Sequence, residues 1–210
     1  MDFTGERYIP GKAFGEIETE HMHRYLALSD IVRDKVVLDA ACGEGYGTYI
    51  LSDNAKFVYG IDISEESIRH AKNRYKKDNI EYKQCSIEKL SFEDNSIDVV
   101  VSFETIEHVG EDTQEAFLKE IKRVLKKDGI LIISTPDKYI YSDIPKYKNE
   151  YHLREFYFYE FRDFLNKYFK NISFYNQDFG TFGIIKSYDN KDNSYFKHIN
   201  SQDIAVNGKY

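Results

Sequence analysis

The sequence predicts a doubly wound α/β fold: a mostly parallel sheet of seven strands, with an antiparallel strand near the C-terminal edge, in a three-layer sandwich. Three observations carry that expectation. Short β-branched runs alternate with longer helical stretches through most of the chain. The run Lys35–Ala40 (KVVLDA) breaks into a glycine-rich turn that opens a helix. The run Ile97–Phe103 (IDVVVSF) is apolar almost throughout, as a strand covered on both faces must be.

The elements follow in order. A helix over about Glu18–Val32 precedes the first strand, Lys35–Ala40, and a second helix runs over about Tyr46–Ser52. Phe57–Ile61 is the next strand. Ser64 then caps a helix that carries Glu65 and Glu66 in its first turn and Ile68, Ala71 and Tyr75 on one face. Ile80–Cys85 is polar enough to lie at a sheet edge. Asp112–Lys126 is an amphipathic helix whose stripe is Phe117, Leu118, Ile121, Val124 and Leu125, stopped by Asp128–Gly129. Ile130–Ser134 is the fifth strand, ended by Pro136. Asp137–Asn149 reads as a loop, and Glu155–Phe169 as a helix with Phe158, Phe161, Phe164 and Leu165 inward. Ile172–Phe179 and Phe182–Lys186 read as two antiparallel strands, because so short a link allows nothing else. Residues 1–188 form one domain with a helical cap over about 1–33, and residues 189–210 a polar tail that is mobile or contacts a partner.

Bulk properties narrow the function. The chain of 210 residues carries a formal net charge of -7, which argues against a nucleic-acid partner, since phosphate contacts need a basic face. The first ten residues hold Asp2, Glu6 and Arg7, which argues against a secretory signal, and no run approaches the roughly 20 apolar residues of a membrane span. Two cysteines, Cys42 and Cys85, make neither a disulfide framework nor a zinc pattern. A cytoplasmic protein with a small-molecule partner is the expectation, and a homodimer stays open.

The chemistry concentrates in two segments. In Val37-Leu38-Asp39-Ala40-Ala41-Cys42-Gly43-Glu44-Gly45-Tyr46-Gly47, an apolar strand ends in an acid before a glycine-rich turn. Glycines let a ligand approach the backbone and allow positive φ. Asp39 discriminates between ligands: a carboxylate there repels a pyrophosphate and attracts an ammonium group. Asp62, just past the second strand, is placed to accept hydrogen bonds from ribose hydroxyls.

Over about Val36–Thr135 these segments resemble the class I S-adenosylmethionine-dependent methyltransferases. The resemblance implies a Rossmann-like fold, S-adenosylmethionine as cofactor, S-adenosylhomocysteine as product and no metal. It implies that Asp39, Ala40, Gly43, Gly45 and Gly47 hold the methionine part, with Phe103 beside it. Asp62 and Ile63 would hold ribose and adenine, and Ser86 and Ile87 the adenine edge, where Ser86 replaces the family's usual acid. The run Ser102-Phe103-Glu104-Thr105-Ile106-Glu107-His108-Val109 is similar to the small-molecule O-methyltransferase branch, which makes His108 a base toward an acceptor hydroxyl. Thr4 to Pro10 and Glu20 to Tyr25 resemble a bacterial subgroup that accompanies surface-polysaccharide biosynthesis. That implies a sugar or sugar-linked acceptor, with Arg24 or Tyr25 reaching the cofactor carboxylate. The segment Tyr151 to Phe156 is similar to one common in these enzymes and would put His152, the alternative base, and Arg154 at the acceptor pocket, together with Tyr8 and Glu107.

Two other functions compete. A nicotinamide-dependent sugar epimerase or dehydrogenase of the short-chain class needs a Tyr-x-x-x-Lys pair on a helix. The spacing occurs only at Tyr8 to Lys12, around Pro10 and Gly11, and Thr48 stands where G-x-G-x-x-G needs its third glycine. The other is a non-catalytic binding module that kept the fold. Glu104 and Glu107 read more simply as a solvated helix start than as metal ligands.

Overall fold

The computed structural model describes residues 16–177, 182–185 and 195–198. The chain divides into two compact units, Met1–Asn171 and Ile172–Tyr210.

The first unit is built on five parallel strands: β1 (Val36–Ala40), β2 (Phe57–Asp62), β3 (Ile80–Gln84), β4 (Ile97–Phe103) and β5 (Leu125–Ser134). Their spatial order is β3-β2-β1-β4-β5. The chain therefore winds outward from β1 to one edge, then restarts beside β1 and winds to the other. That reversal leaves a crevice at the carboxyl ends of β1 and β4, where doubly wound sheets bind ligands. The alternation of strand and helix predicted a doubly wound, mostly parallel sheet, and the polar β3 lies at the edge as expected. The seven-stranded sheet is corrected to five strands, and none of the five is antiparallel.

Five α-helices accompany the strands: α1 (Glu16–Leu26), α2 (Tyr46–Leu51), α3 (Glu65–Arg74), α4 (Glu111–Val124) and α5 (Phe158–Asn166). Val37, Leu38, Val99, Val100 and Val101 are all at most 1% exposed, so neighbouring residues on both faces of β1 and β4 are covered. One cluster joins Tyr25, Leu28 and Val32 to Val37, Leu51, Val58, Val99 and Val101. A second joins Ile68 and Ala71 of α3 to Cys42 and Tyr82. Ser64 caps α3 as predicted, its hydroxyl accepting from the Ser67 N–H at 3.2 Å.

Several boundaries differ for physical reasons. The first helix stops at Leu26, a turn and a half before Val32, yet Leu28 and Val32 stay buried through turns. Asp128–Gly129 does not end α4: Leu125 is already extended (φ -65°, ψ 134°) and pairs with Ile97, so β5 starts directly at the helix end. The register then shifts before Val99 meets Ile130, which pushes Lys126 to Asp128 out to solvent. The 137–149 loop contains a short π-helical turn, Tyr139–Asp143, and α5 is shorter than predicted by nearly a turn at each end.

In the second unit, Ile172 to Gln177 forms no strand, which corrects the expected Ile172–Phe179; residues 178 and 179 lie outside the described set. Phe182–Ile185 is a strand (β6), but its antiparallel partner is Tyr195–His198 (β7), within the segment read as a tail.

Candidate active site

The turn after β1 is left-handed at Gly43 (φ +54°) and Gly45 (φ +87°), and also at Ala41 (φ +63°). The three glycines do different things. A Cβ on Gly43 would meet nothing within 4 Å, so this residue faces open space. On Gly45 it would lie 2.6 Å from the Ala71 Cβ, and on Gly47 2.1 Å from the Tyr25 ring. Gly43 thus borders open space, Gly45 lets α3 close on the turn, and Gly47 lets Tyr25 lie on α2.

Asp39 is 1% exposed. One oxygen accepts from the Thr48 hydroxyl at 2.6 Å and the other from the Tyr25 hydroxyl at 3.3 Å. Burial pushes its carboxyl up to about 7, against which the two hydrogen bonds pull down. Asp39 therefore lies beneath the turn and ties α1 and α2 to β1. Ala40, the last residue of β1, is buried beside it. Asp62 accepts from the Gly43 N–H at 3.0 Å and from the Ser64 N–H at 2.8 Å, fixing the turn and the start of α3 together. A carboxylate has about four lone-pair sites, so acceptor capacity is left over. Ile63, beside it, is 72% exposed, a large apolar side chain at the carboxyl end of β2. Ser86 uses its hydroxyl to accept from the Glu88 N–H at 3.2 Å, and Ile87 is half-buried next to it.

Helix α1 crosses this end of the sheet. Tyr25 meets Tyr46 and Phe103 edge-on, with ring centroids 5.6 and 5.0 Å apart. Arg24 lies 3.9 Å from the Glu104 carboxylate, and its Nη1 is buried with no hydrogen-bond partner among the described residues. His21, the histidine of the His-x-x-Arg-Tyr spacing one turn earlier, places its Nδ1 3.0 Å from the Tyr46 hydroxyl. Burial, helped by Arg24, pushes it down to about 4, so it is neutral at physiological pH. The spacing of His21, Arg24 and Tyr25 at i, i+3 and i+4 was the available signal.

The end of β4 supplies the second half of the site. Glu104 is left-handed (φ +50°), and its carboxylate accepts from the Ser134 hydroxyl at 2.5 Å. Such backbone is uncommon outside glycine and clusters at functional sites. Ile106–His108 is a short 3-10 turn. Glu107, expected at a solvated helix start, is instead 1% exposed; burial and then Glu104 push it up to about 8, and it accepts from the Thr135 hydroxyl at 3.0 Å. His108 Nδ1 lies 3.1 Å from the Tyr151 carbonyl oxygen. A carbonyl only accepts, so Nδ1 carries the proton and the ring lone pair is on Nε2.

His152 meets His108 edge-on, ring centroids 4.9 Å apart at 89°. Its side chain is 6% exposed, with Nδ1 2.6 Å from Glu155 and Nε2 3.0 Å from the Asn149 amide nitrogen. Both nitrogens are engaged, and the His152 ring lies against that of His108. Glu107, His108 and His152 place ligand-type atoms within 4.8 Å of one another, but these same bonds occupy them as a hydrogen-bonded network. Arg154 follows two residues later. Its guanidinium donates to Gln114 at 2.8 Å, pairs with Glu111 at 3.3 Å and lies over the Phe156 ring, so it anchors the loop to α4. Tyr8 lies outside the described residues. No described helix is long and apolar enough to cross a membrane.

Comparison with known proteins agrees with this geometry. Residues 38–133 match the family model "Methyltransferase domain". A protein of Mycolicibacterium smegmatis named "Probable S-adenosylmethionine-dependent methyltransferase" is 36% identical over 163 residues, covering 74% of this chain and 60% of that one. The ubiquinone biosynthesis O-methyltransferase of Pelagibacter ubique is 36% identical over 104 residues, covering 49% of this chain and 42% of the other. The chain thus spans well under two thirds of these relatives. The YcgJ protein of Bacillus subtilis shares the fold, with a TM-score of 0.60 at 20% identity over 78% of this chain and 71% of that one. That family uses S-adenosylmethionine, and no metal cofactor is indicated for it. Residues 38–133 therefore form a methyltransferase domain of the class I, S-adenosylmethionine-dependent kind.

Proposed function

We propose that this protein transfers a methyl group from S-adenosylmethionine to a hydroxyl of a small acceptor, a sugar or sugar-linked precursor. The observation that carries the cofactor reading is the open, left-handed Gly43, its N–H held by Asp62 and the buried Asp39 beneath it. The residues present fit that cofactor. The unpartnered Nη1 of Arg24 suits a carboxylate, the field of Asp39 suits an ammonium, the spare acceptor sites of Asp62 suit ribose hydroxyls, and the exposed Ile63 suits the face of adenine.

When bound, the cofactor supplies an electrophilic methyl on a sulfonium centre. The chain's own task is then to align an oxygen nucleophile and take its proton, and alignment is the larger contribution. His108 Nε2 receives the hydroxyl proton. Glu107, whose carboxyl burial and then Glu104 hold above the usual carboxylate range, belongs to the same wall. The name of the Pelagibacter relative, an O-methyltransferase, supports oxygen as the receiving atom. The half-exposed rings of Tyr139, Tyr147 and Tyr151, on the loop that carries His152, offer apolar faces and hydroxyls suited to a sugar.

The test is a calorimetric titration with S-adenosylhomocysteine, followed by turnover on a panel of sugars, nucleotide sugars and phenols. Micromolar binding and methylation of a sugar hydroxyl are the expected results. No binding at millimolar ligand ends the cofactor reading, and turnover on phenols alone ends the sugar reading.

A further inference from the structure

The Tyr151 carbonyl accepts the proton of His108 Nδ1, and a chain of partly buried polar groups decides where that carbonyl points. The Ser142 hydroxyl donates to Glu155 Oε2 at 2.7 Å, and Glu155 Oε1 accepts from His152 Nδ1 at 2.6 Å. With its proton on Nδ1, His152 offers a lone pair at Nε2, which accepts from the Asn149 side-chain amide at 3.0 Å. The same amide nitrogen donates to the Tyr141 hydroxyl at 3.2 Å. That orientation turns the Asn149 oxygen toward the Tyr151 N–H, which it accepts at 3.0 Å. The Asn149 main-chain carbonyl accepts from the His152 N–H at 3.2 Å, so Asn149 holds the peptides on both sides of Tyr151, and the Tyr151 carbonyl accepts the His108 Nδ1 proton at 3.1 Å.

Each link in this chain has one assignment that satisfies both partners, because the carboxylate and the carbonyl only accept. His152 adds a wall: Tyr141 stacks on it at 5.1 Å, and it meets the His108 ring edge-on. Packing alone needs no polar groups here. An apolar residue would fill the volume of a side chain that is 6% exposed without the cost of burying an imidazole beside a carboxylate. The polarity has a directional result, since it reads out at a single carbonyl.

We propose that Asn149, His152 and Glu155 are positioning residues for methyl transfer: together they hold the Tyr151 carbonyl so that His108 keeps its lone pair on Nε2. This rests on the reading of His108 as the base. The full chain, labelled with 15N in its histidine rings, tests it by long-range proton–nitrogen correlation, with His108→Gln and His152→Gln spectra giving the assignments. In the wild type both rings carry the proton on Nδ1. In Asn149→Ala at least half of the His108 population moves to the Nε2–H tautomer. His152→Phe keeps the ring wall and removes both hydrogen bonds, so it carries the test should Asn149→Ala fail to fold; it gives the same shift. A wild-type His108 protonated on Nε2, or a His108 tautomer unchanged in the folded variants, overturns the proposal. Titration of the same samples with S-adenosylhomocysteine separates this from the methyltransferase reading. Wild-type protein that binds none of it defeats that reading whatever the tautomers. Variants that bind within about twofold of wild type while His108 shifts support positioning.

Discussion

The glycine turn after β1 and the histidine cluster after β4 are made in opposite ways. The turn is backbone, shaped by two left-handed glycines and held by acids nearby in sequence. The bond from Gly43 to Asp62 spans 19 positions, and that from Thr48 to Asp39 spans 9. The cluster is held by side-chain bonds, to other side chains and to one backbone carbonyl, and reaches much farther. The bond from His108 to Tyr151 spans 43 positions, that from Arg154 to Gln114 spans 40, and that from Thr135 to Glu107 spans 28. The contrast teaches that a backbone-built site tolerates little change in shape, whereas a network-built site sets chemistry through proton placement.

If that division is right, the largest effect comes from the cluster and leaves the turn untouched. His108→Gln is expected to lower turnover by about 10² to 10⁴, the usual worth of a positioned acid or base, with S-adenosylhomocysteine affinity within about twofold of wild type. Steady-state rates and calorimetry check both halves, and loss of affinity equal to loss of rate would merge the two regions. Next in size is a contrast within the turn. Gly45→Ala is expected to cost about 2–4 kcal/mol of stability, because left-handed backbone and contact with Ala71 both oppose the new Cβ. Gly43→Ala meets no neighbour and is expected to cost only about 1–2 kcal/mol in stability, its main effect falling on ligand affinity. Urea titrations of the two variants show which glycine serves the fold.

The same division explains what could be read from the residues. The turn, Asp39, Asp62 and the five strands were legible, because strand periodicity and a glycine-rich turn are local signals. The burial of Glu107 was not legible: a charged residue after a strand looks solvated until Thr135 of the next strand end is known to face it. The functions of Gly45 and Gly47 could not be separated from that of Gly43, since only the packing of Ala71 and Tyr25 distinguishes them. Arg154 and His152 were found as polar residues in a suggestive segment, yet their partners Gln114, Asn149 and Glu155 belong to no motif. The second unit was misread because pairing of Phe182–Ile185 with Tyr195–His198 skips the neighbouring segment that alternation favoured.

A smaller effect tests whether Asp62 serves the turn alone or also a ligand. Asp62→Ala removes two backbone hydrogen bonds to a charged acceptor, each worth about 1.5–3 kcal/mol. Cofactor affinity is expected to fall by about 10- to 100-fold while the acceptor KM stays put. An unchanged affinity for S-adenosylhomocysteine would reduce Asp62 to a helix-start residue.

A last effect is carried by protons. The carboxyl of Asp39 is raised from 3.8 to about 7 by burial. Between those values the folded chain keeps a proton that the unfolded chain has lost, so stability falls as pH rises through that window and levels off above it. The slope approaches about 1.4 kcal/mol per pH unit where only this group differs. Glu107, raised from 4.5 to about 8, acts in the same sense over its own window. Asp39→Asn should flatten the Asp39 share of the slope and leave that of Glu107, which urea unfolding from pH 4 to pH 8 resolves. The turn adds a ligand-side consequence. An ammonium near Asp39 favours the ionised form, so binding of S-adenosylhomocysteine at pH 6 should release protons and tighten toward pH 7. Calorimetry in buffers of different ionisation enthalpy reads that release directly. A binding constant flat with pH, with no proton released, would mean that the buried carboxylate organises Tyr25 and Thr48 without reaching the ligand's charge.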